Sequence, residues 1–172
     1  MSFSTAPDAK ESFVFNSLPT SVNELKNLPE ASLDSPYKTA ALVIAVLCNF
    51  ENDKTETFEM LNYLKGPEPV SPYEKQFITE RLSGKYYKPF SFFSGSSPEN
   101  GYKPTVPYEI IVCSNPYSFP ENNWAVMHIA SSGADNMRQI KLRCKPSTGQ
   151  WFLNEIQCLS DIRIPVEDDP WA

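Results

Sequence analysis

The sequence predicts an α+β fold: N-terminal helices, one of them buried and central, packed on a three- or four-stranded antiparallel meander sheet. Three observations carry this expectation. An uninterrupted apolar run, Ala40 to Cys48, follows a helix-start signal at Ser35-Pro36. A strictly alternating run, Arg138 to Cys144, has the period of a half-buried strand. The segments after residue 107 are joined by stretches of hairpin length, Ser132-Gly133-Ala134-Asp135 and Pro146 to Gly149.

Residues 1–19 are polar with scattered Phe and Pro and read as a weakly ordered arm, with Phe13, Val14 and Phe15 as the side chains able to dock it. Residues 20–172 read as a single domain. It is divided into a helical half (20–84), an aromatic, proline-rich loop (85–107), and a β half with an acidic tail (108–172).

In the helical half, Ser21 followed by Glu24 is a capping-box signature, so a short helix is expected up to Leu28, where Pro29 stops it. Ser35 caps the next helix, and Pro36 sits at the first helical position, where its missing N–H is harmless. This helix is expected from Tyr37 to about Phe50. It is apolar on every face, so it should be the central one. Asn49, Asn52 and Asp53 end it. A third helix is expected over Thr55 to Lys65, with Phe58, Leu61 and Leu64 on its stripe and Gly66-Pro67 as its stop. The fourth opens with Ser71-Pro72-Tyr73-Glu74, carries Tyr73, Phe77, Ile78 and Leu82 as its stripe, and closes at Gly84.

Four strands are expected beyond the loop. Tyr108 to Ser114 is β-branched and apolar. Trp124 to Ser131 places Ala125, Met127 and Ile129 on one face and Trp124, Val126 and His128 on the other. In Arg138 to Cys144, Ile140, Leu142 and Cys144 face in, while Gln139, Lys141 and Arg143 face out. Gln150 to Ile156 follows a Pro-Ser-Thr-Gly turn. Trp171 is expected to dock and tie down the acidic tail.

Composition excludes several function classes. A net charge of -6 argues against a nucleic-acid backbone binder, which carries a clustered basic face. The same charge argues against an anionic membrane surface. The longest apolar stretch is nine residues, far short of the ~20 that a helical membrane span needs. The first fifteen residues lack a cationic start and an apolar core, so a cytoplasmic location is expected. Four dispersed cysteines then read as reduced thiols, with Cys113 and Cys144 on strands that could be neighbours.

Chemistry-bearing patterns are few. One histidine and four scattered cysteines do not supply a zinc ligand set, so no metal and no cofactor are expected. No phosphate-binding glycine motif and no nucleophile elbow are present, and no catalytic residues are assigned. His128, the only histidine, reads as a half-buried strand residue, or as a general base facing a pocket roofed by the loop. Asp135 in the Ser131–Asp135 turn is expected to cap its own backbone and pair with Arg138, or else the turn presents N–H groups to an anion.

The loop is the densest aromatic segment, with Tyr86, Tyr87, Phe90, Phe92, Phe93 and Tyr102. Such side chains suit either a docking surface or a bridge between helices and sheet.

Several segments together carry a resemblance: SSGAD, the R-x-x-K-L-R strand, G-Q-W-F-L-x-E, S-D-I-R-x-P and D-D-P-W-A, with LPTSVNELKNLPEASLDSPYKTAAL and EMLNYLKGPEPVSPYEKQF in the N-terminal half. On these the chain resembles a bacterial domain family of unknown function found mainly in anaerobic Firmicutes. The resemblance implies a bacterial, cytoplasmic, stand-alone domain and brings no activity with it.

Two functional expectations follow. The first is a non-catalytic protein-binding module that engages a protein partner through the 85–107 loop, with Tyr87, Phe90, Phe92, Phe93, Tyr102, Trp124, His128, Asp135 and Arg138 as candidate binding residues. The alternative is a small-ligand-binding protein or enzyme with a helix–sheet pocket of the nuclear-transport-factor-like cone type. A cavity reaching His128 and lined by Trp124 and the loop aromatics favours the second, and a filled interior with an exposed apolar patch favours the first. No pattern in the chain specifies an oligomeric state.

Overall fold

The computed structural model describes residues 3–172. Ser35 starts its central helix, α2 (Pro36–Leu47), by accepting the Tyr37 N–H on its side-chain oxygen at 3.2 Å, with Pro36 in the first turn. Every residue of α2 except Lys38 is buried. The apolar run therefore works as its composition requires, supplying the middle of the core from all sides.

The other helices surround it. α1 (Val22–Lys26) is capped by Ser21, but the Glu24 carboxylate bonds Thr20 rather than returning to the Ser21 N–H. This helix ends two residues before the expected Leu28. α3 (Lys54–Lys65) begins where Asp53 accepts the Glu56 N–H at 3.0 Å, so a residue read as a terminator of α2 is the cap of the next helix. α4 (Pro72–Leu82) has the full capping box, Ser71 with Glu74. Its stripe is shorter than expected: Ile78 and Leu82 are buried, whereas Tyr73 is 78% exposed.

The sheet has five strands, all antiparallel, in the order β1 (Lys10–Phe15), β2 (Tyr108–Cys113), β3 (Trp124–Ile129), β4 (Arg138–Lys145) and β5 (Gln150–Gln157). The meander is as expected, but the strand count is not. The extra strand is β1, inside the segment read as an arm. It pairs with β2 over its whole length, Lys10 opposite Cys113 through Phe15 opposite Tyr108. Phe13 and Phe15 are buried by it. Its partner lies about a hundred residues downstream in sequence, and a local reading has no access to such pairing.

The sheet is split between β2 and β3, which share only the pairs Val112–Ile129 and Cys113–His128. The 85–107 loop enters the split. Ser94 N–H donates to the Glu109 carbonyl at 2.8 Å on one side, and Ser132 N–H donates to the Ser91 carbonyl at 2.8 Å on the other. Short 3₁₀ turns at Pro89–Phe92 and Pro98–Asn100 give the loop its shape.

Two further expectations are corrected. Cys113 and Cys144 lie on β2 and β4, with β3 between them, and are not neighbours. Trp171 is 93% exposed: the tail's last turn is held by Asp169 accepting the Trp171 N–H, and the indole docks on nothing.

Candidate functional site

Alternation on the strands divides the sheet into two unlike faces. Ala125, Met127, Ile129, Ile140 and Leu142 point at α2 and are 0–1% exposed. A side chain with no accessible surface has no void the size of a water beside it, so this interior is filled. The pocket required by the small-ligand reading is occupied by the side chains of α2 and the sheet themselves.

Among the described residues no helix lies on the opposite face. Val14 on β1 and Ile111 on β2 are 54% and 42% exposed. Their neighbours across the sheet follow from the register. Ser12 lies opposite Ile111, and Cys113 opposite His128. On the next strand pair, His128 lies opposite Gln139, Val126 opposite Lys141, and Trp124 opposite Arg143.

The Trp124 ring carries two cations: Lys141 Nζ at 4.9 Å and Arg143 Cζ at 5.1 Å from its centroid. Each such contact is worth about 0.5–1 kcal/mol at an exposed site. Among the described residues neither Lys141 nor Arg143 belongs to an ion pair. The arrangement is an aromatic platform with two cationic groups outside any ion pair among the described residues, with Glu155 opposite Lys141 in the β4–β5 register.

A cleft of about 280 Å³ adjoins the platform, with Arg143, Lys145, Lys65, Asn154 and Phe152 on its walls and Glu68 also lining it. Lys65 is already engaged, donating to Glu74 at 2.8 Å. Glu74 loses hydration by burial, which works against its ionised form. Hydrogen bonds from Lys65 and from the Ser71 N–H outweigh this and hold its pKa below the usual carboxylate value.

The candidate residues of the loop end in other places. Phe92, Phe93 and Tyr102 are core residues at 2–4% exposure, and Phe90 and Tyr87 are half-buried. Tyr87 stacks on Tyr102 with ring centroids 5.2 Å apart. The Tyr102 hydroxyl donates to the Arg163 carbonyl, and burial pushes its pKa up to about 12. Gly133 lies under this hydroxyl, where an added Cβ would sit 2.2 Å from the oxygen.

Asp135 pairs with Arg163 at 3.1 Å, not with Arg138. Arg138 instead donates to the carbonyls of Ser160 and Asp161 at 3.1 and 3.0 Å, and to that of Asn136. Lys88, 5% exposed, donates to the Leu159 carbonyl at 2.7 Å, and loss of hydration lowers its pKa. The Ser-Ser-Gly-Ala-Asp turn and the Ser-Asp-Ile-Arg segment thus form one packed corner. Most of its donors and acceptors are spent on backbone, and it presents no open set of groups to a ligand.

Trp124 and His128 share the outer face at opposite ends of β3. An open hollow of about 870 Å³ takes in Trp124 with Phe3, Phe119 and Trp151, but neither His128 nor the loop aromatics. Among the described residues no group of three or more His, Cys, Asp and Glu side chains is placed to hold a metal ion.

The residues that sequence reasoning missed, Lys10, Val14, Ile111, Lys141 and Arg143, all face out. The alternation of Lys-Glu-Ser-Phe-Val-Phe was the available signal for β1, and the outward phase of Lys141 and Arg143 was read as solvation only.

A family model described as a domain of unknown function, DUF6935, matches residues 17–166. No match was found among curated proteins, and none among solved structures.

Proposed function

The chain belongs to the DUF6935 family of domains of unknown function, and from the geometry of its sheet we propose that it is a non-catalytic protein-binding module. Its docking surface is the uncovered face of the sheet rather than the 85–107 loop. The observation that supports this reading most is the Trp124 platform bearing Lys141 and Arg143, two cations without a carboxylate partner among the described residues.

The partner that fits this surface is an acidic protein segment with apolar residues interspersed. Its carboxylates meet Lys141, Arg143 and Lys145, which stand out in a chain whose net charge is -6. Its apolar side chains lie along Ile111 and Val14, which the fold leaves in water, and the half-buried Val126. An aromatic and an Arg at the centre of a patch are the residue types that dominate binding energy in known interfaces. The filled interior supports this reading over an enclosed small-ligand site.

The test is capture of partners from native lysate, followed by cross-linking to locate the contact. Lys141→Glu with Arg143→Glu should abolish capture of an acidic partner and leave the melting temperature nearly unchanged, and added salt should weaken capture by the parent chain. Undiminished capture by the doubly reversed variant, or cross-links confined to the helical side, sinks the proposal.

A further inference from the structure

The other end of the same face holds a feature that partner docking does not use. His128 is 6% exposed, and its Nε2 has no hydrogen-bond partner among the described residues. Leaving a buried polar atom unpaired costs about 1–3 kcal/mol, and native proteins rarely do so without a reason. Two sulfur atoms belong to residues around it. Cys113 stands directly opposite His128 in the β2–β3 register, where Cβ atoms of facing residues are about 4.5–5.5 Å apart. Met137 lies two residues before Gln139, the residue facing His128 on the other side. It is therefore the diagonal neighbour, at about 7–8 Å and within reach of a long side chain. All three line one hollow of about 470 Å³, together with Asp8, Lys10 and Gln139.

A thiol, an imidazole and a thioether are a soft donor set. Zinc in a structural site takes four Cys or His ligands, and this face offers two. Calcium and magnesium want oxygen ligands. Asp8 is in the hollow, but it is not grouped with Cys113 and His128 as a third ligand. Cu(I) is satisfied by two or three soft donors, which is what the strands bring together. We propose that Cys113, His128 and Met137 form a binding site for a monovalent soft metal ion, Cu(I), on the outer face of the sheet.

Binding needs no redox step. The ion takes the Cys113 sulfur as thiolate, the thiol proton leaves to solvent, and Nε2 gains the partner it lacks. Burial raises the Cys113 pKa, with the nearby Lys10 charge opposing it, and burial lowers that of His128. Because the ion displaces the thiol proton, affinity should rise with pH.

The experiment is a Cu(I) titration of the full chain, reduced and under anaerobic conditions, in competition with the chromophoric chelator bicinchoninate. The parent chain should withhold one Cu(I) from the chelator. Cys113→Ser and His128→Gln should each weaken binding by at least about tenfold, since even the loss of a group that only orients a ligand costs that much. Met137→Leu should weaken it less. Cys144→Ser, which alters the partly exposed thiol on β4, should change nothing. Failure to withhold copper overturns the proposal, as does unaltered binding by Cys113→Ser or a loss that follows Cys144→Ser. If Cys113→Ser does not fold, X-ray absorption on the copper-loaded parent chain decides. Mixed sulfur and nitrogen scattering upholds the site, and sulfur alone or oxygen alone overturns it.

Discussion

The two faces of the sheet are made by the same strands and differ in nearly everything else. On the helix side, Phe13, Phe15, Met127, Ile140 and Leu142 are closed off from water against α2. On the open side, Val14, Ile111 and Trp124 share their surface with Lys10, Lys141 and Arg143. Because side chains alternate along a strand, each residue that stabilises the fold has a neighbour that does not have to. Stability is concentrated on one face, which frees the residues of the other from the demands of packing.

The strongest way to break this contrast is on β1, where the two kinds of residue are adjacent. Phe15→Ala should destabilise the chain by about 3–5 kcal/mol, the usual result of emptying a buried aromatic site. Val14→Ala should stay within about 0.5 kcal/mol. Urea denaturation with a constant slope measures both. Equal effects would mean that β1 is not seated on the core, and the open face would lose its first strand.

That strand also marks where the sequence stopped being legible. Local signals placed the helix starts at Ser35-Pro36 and Ser71-Pro72, and the in–out phase of Ile140, Leu142 and Trp124, because caps and alternation are written in a few consecutive residues. The pairing of Lys10–Phe15 with Tyr108–Cys113 is written nowhere locally. Its absence hid half of the open face. The loop stays ambiguous in sequence for a related reason. Phe92 and Phe93 look like docking anchors in sequence, but the split between β2 and β3, a tertiary feature, gives them a place in the core. Trp124 and His128 were found by type and phase, while the groups around them came only with the register.

A second comparison, smaller in effect, concerns hydrogen bonds on the two faces. On the covered side, the Thr39 hydroxyl, fully buried, donates to the Trp151 carbonyl at 2.7 Å, tying α2 to the free edge of β5, where the Trp151 N–H also donates to the Leu33 carbonyl. On the open side, the Ser12 hydroxyl donates to Glu109 at the same distance, but in water. Thr39→Val keeps the shape and leaves the carbonyl without that partner, and should cost about 1–3 kcal/mol. Ser12→Ala should cost less than about 0.5 kcal/mol, because water replaces the lost partner. A Ser12→Ala effect as large as that of Thr39→Val would show that the open face is covered in solution, by a partner or by another copy of the chain.

His128 sharpens the contrast most, because it lies on the open face and yet is as buried as a core residue. Burial lowers its pKa below the ordinary value of about 6.5, which the unfolded chain retains. As pH falls from above 6.5 toward the folded value, the unfolded state takes up a proton that the folded state refuses. Stability is therefore full above about pH 6.5, is lost across that interval, and is flat again below the folded pKa. Carboxylates add their own pH dependence at lower pH, so the quantity to follow is the difference in urea midpoint between the parent chain and His128→Gln, measured from pH 8 to pH 5. That difference should move against the parent chain as pH falls and stay constant above about pH 7. The shift should be smaller than either core effect, since one partly screened charge is at stake. With Cu(I) bound, the imidazole is held neutral by the metal in the folded state, and the decline should steepen and extend to lower pH. A difference that does not change with pH would place His128 in water, and with it Nε2 would cease to be an unpaired buried atom.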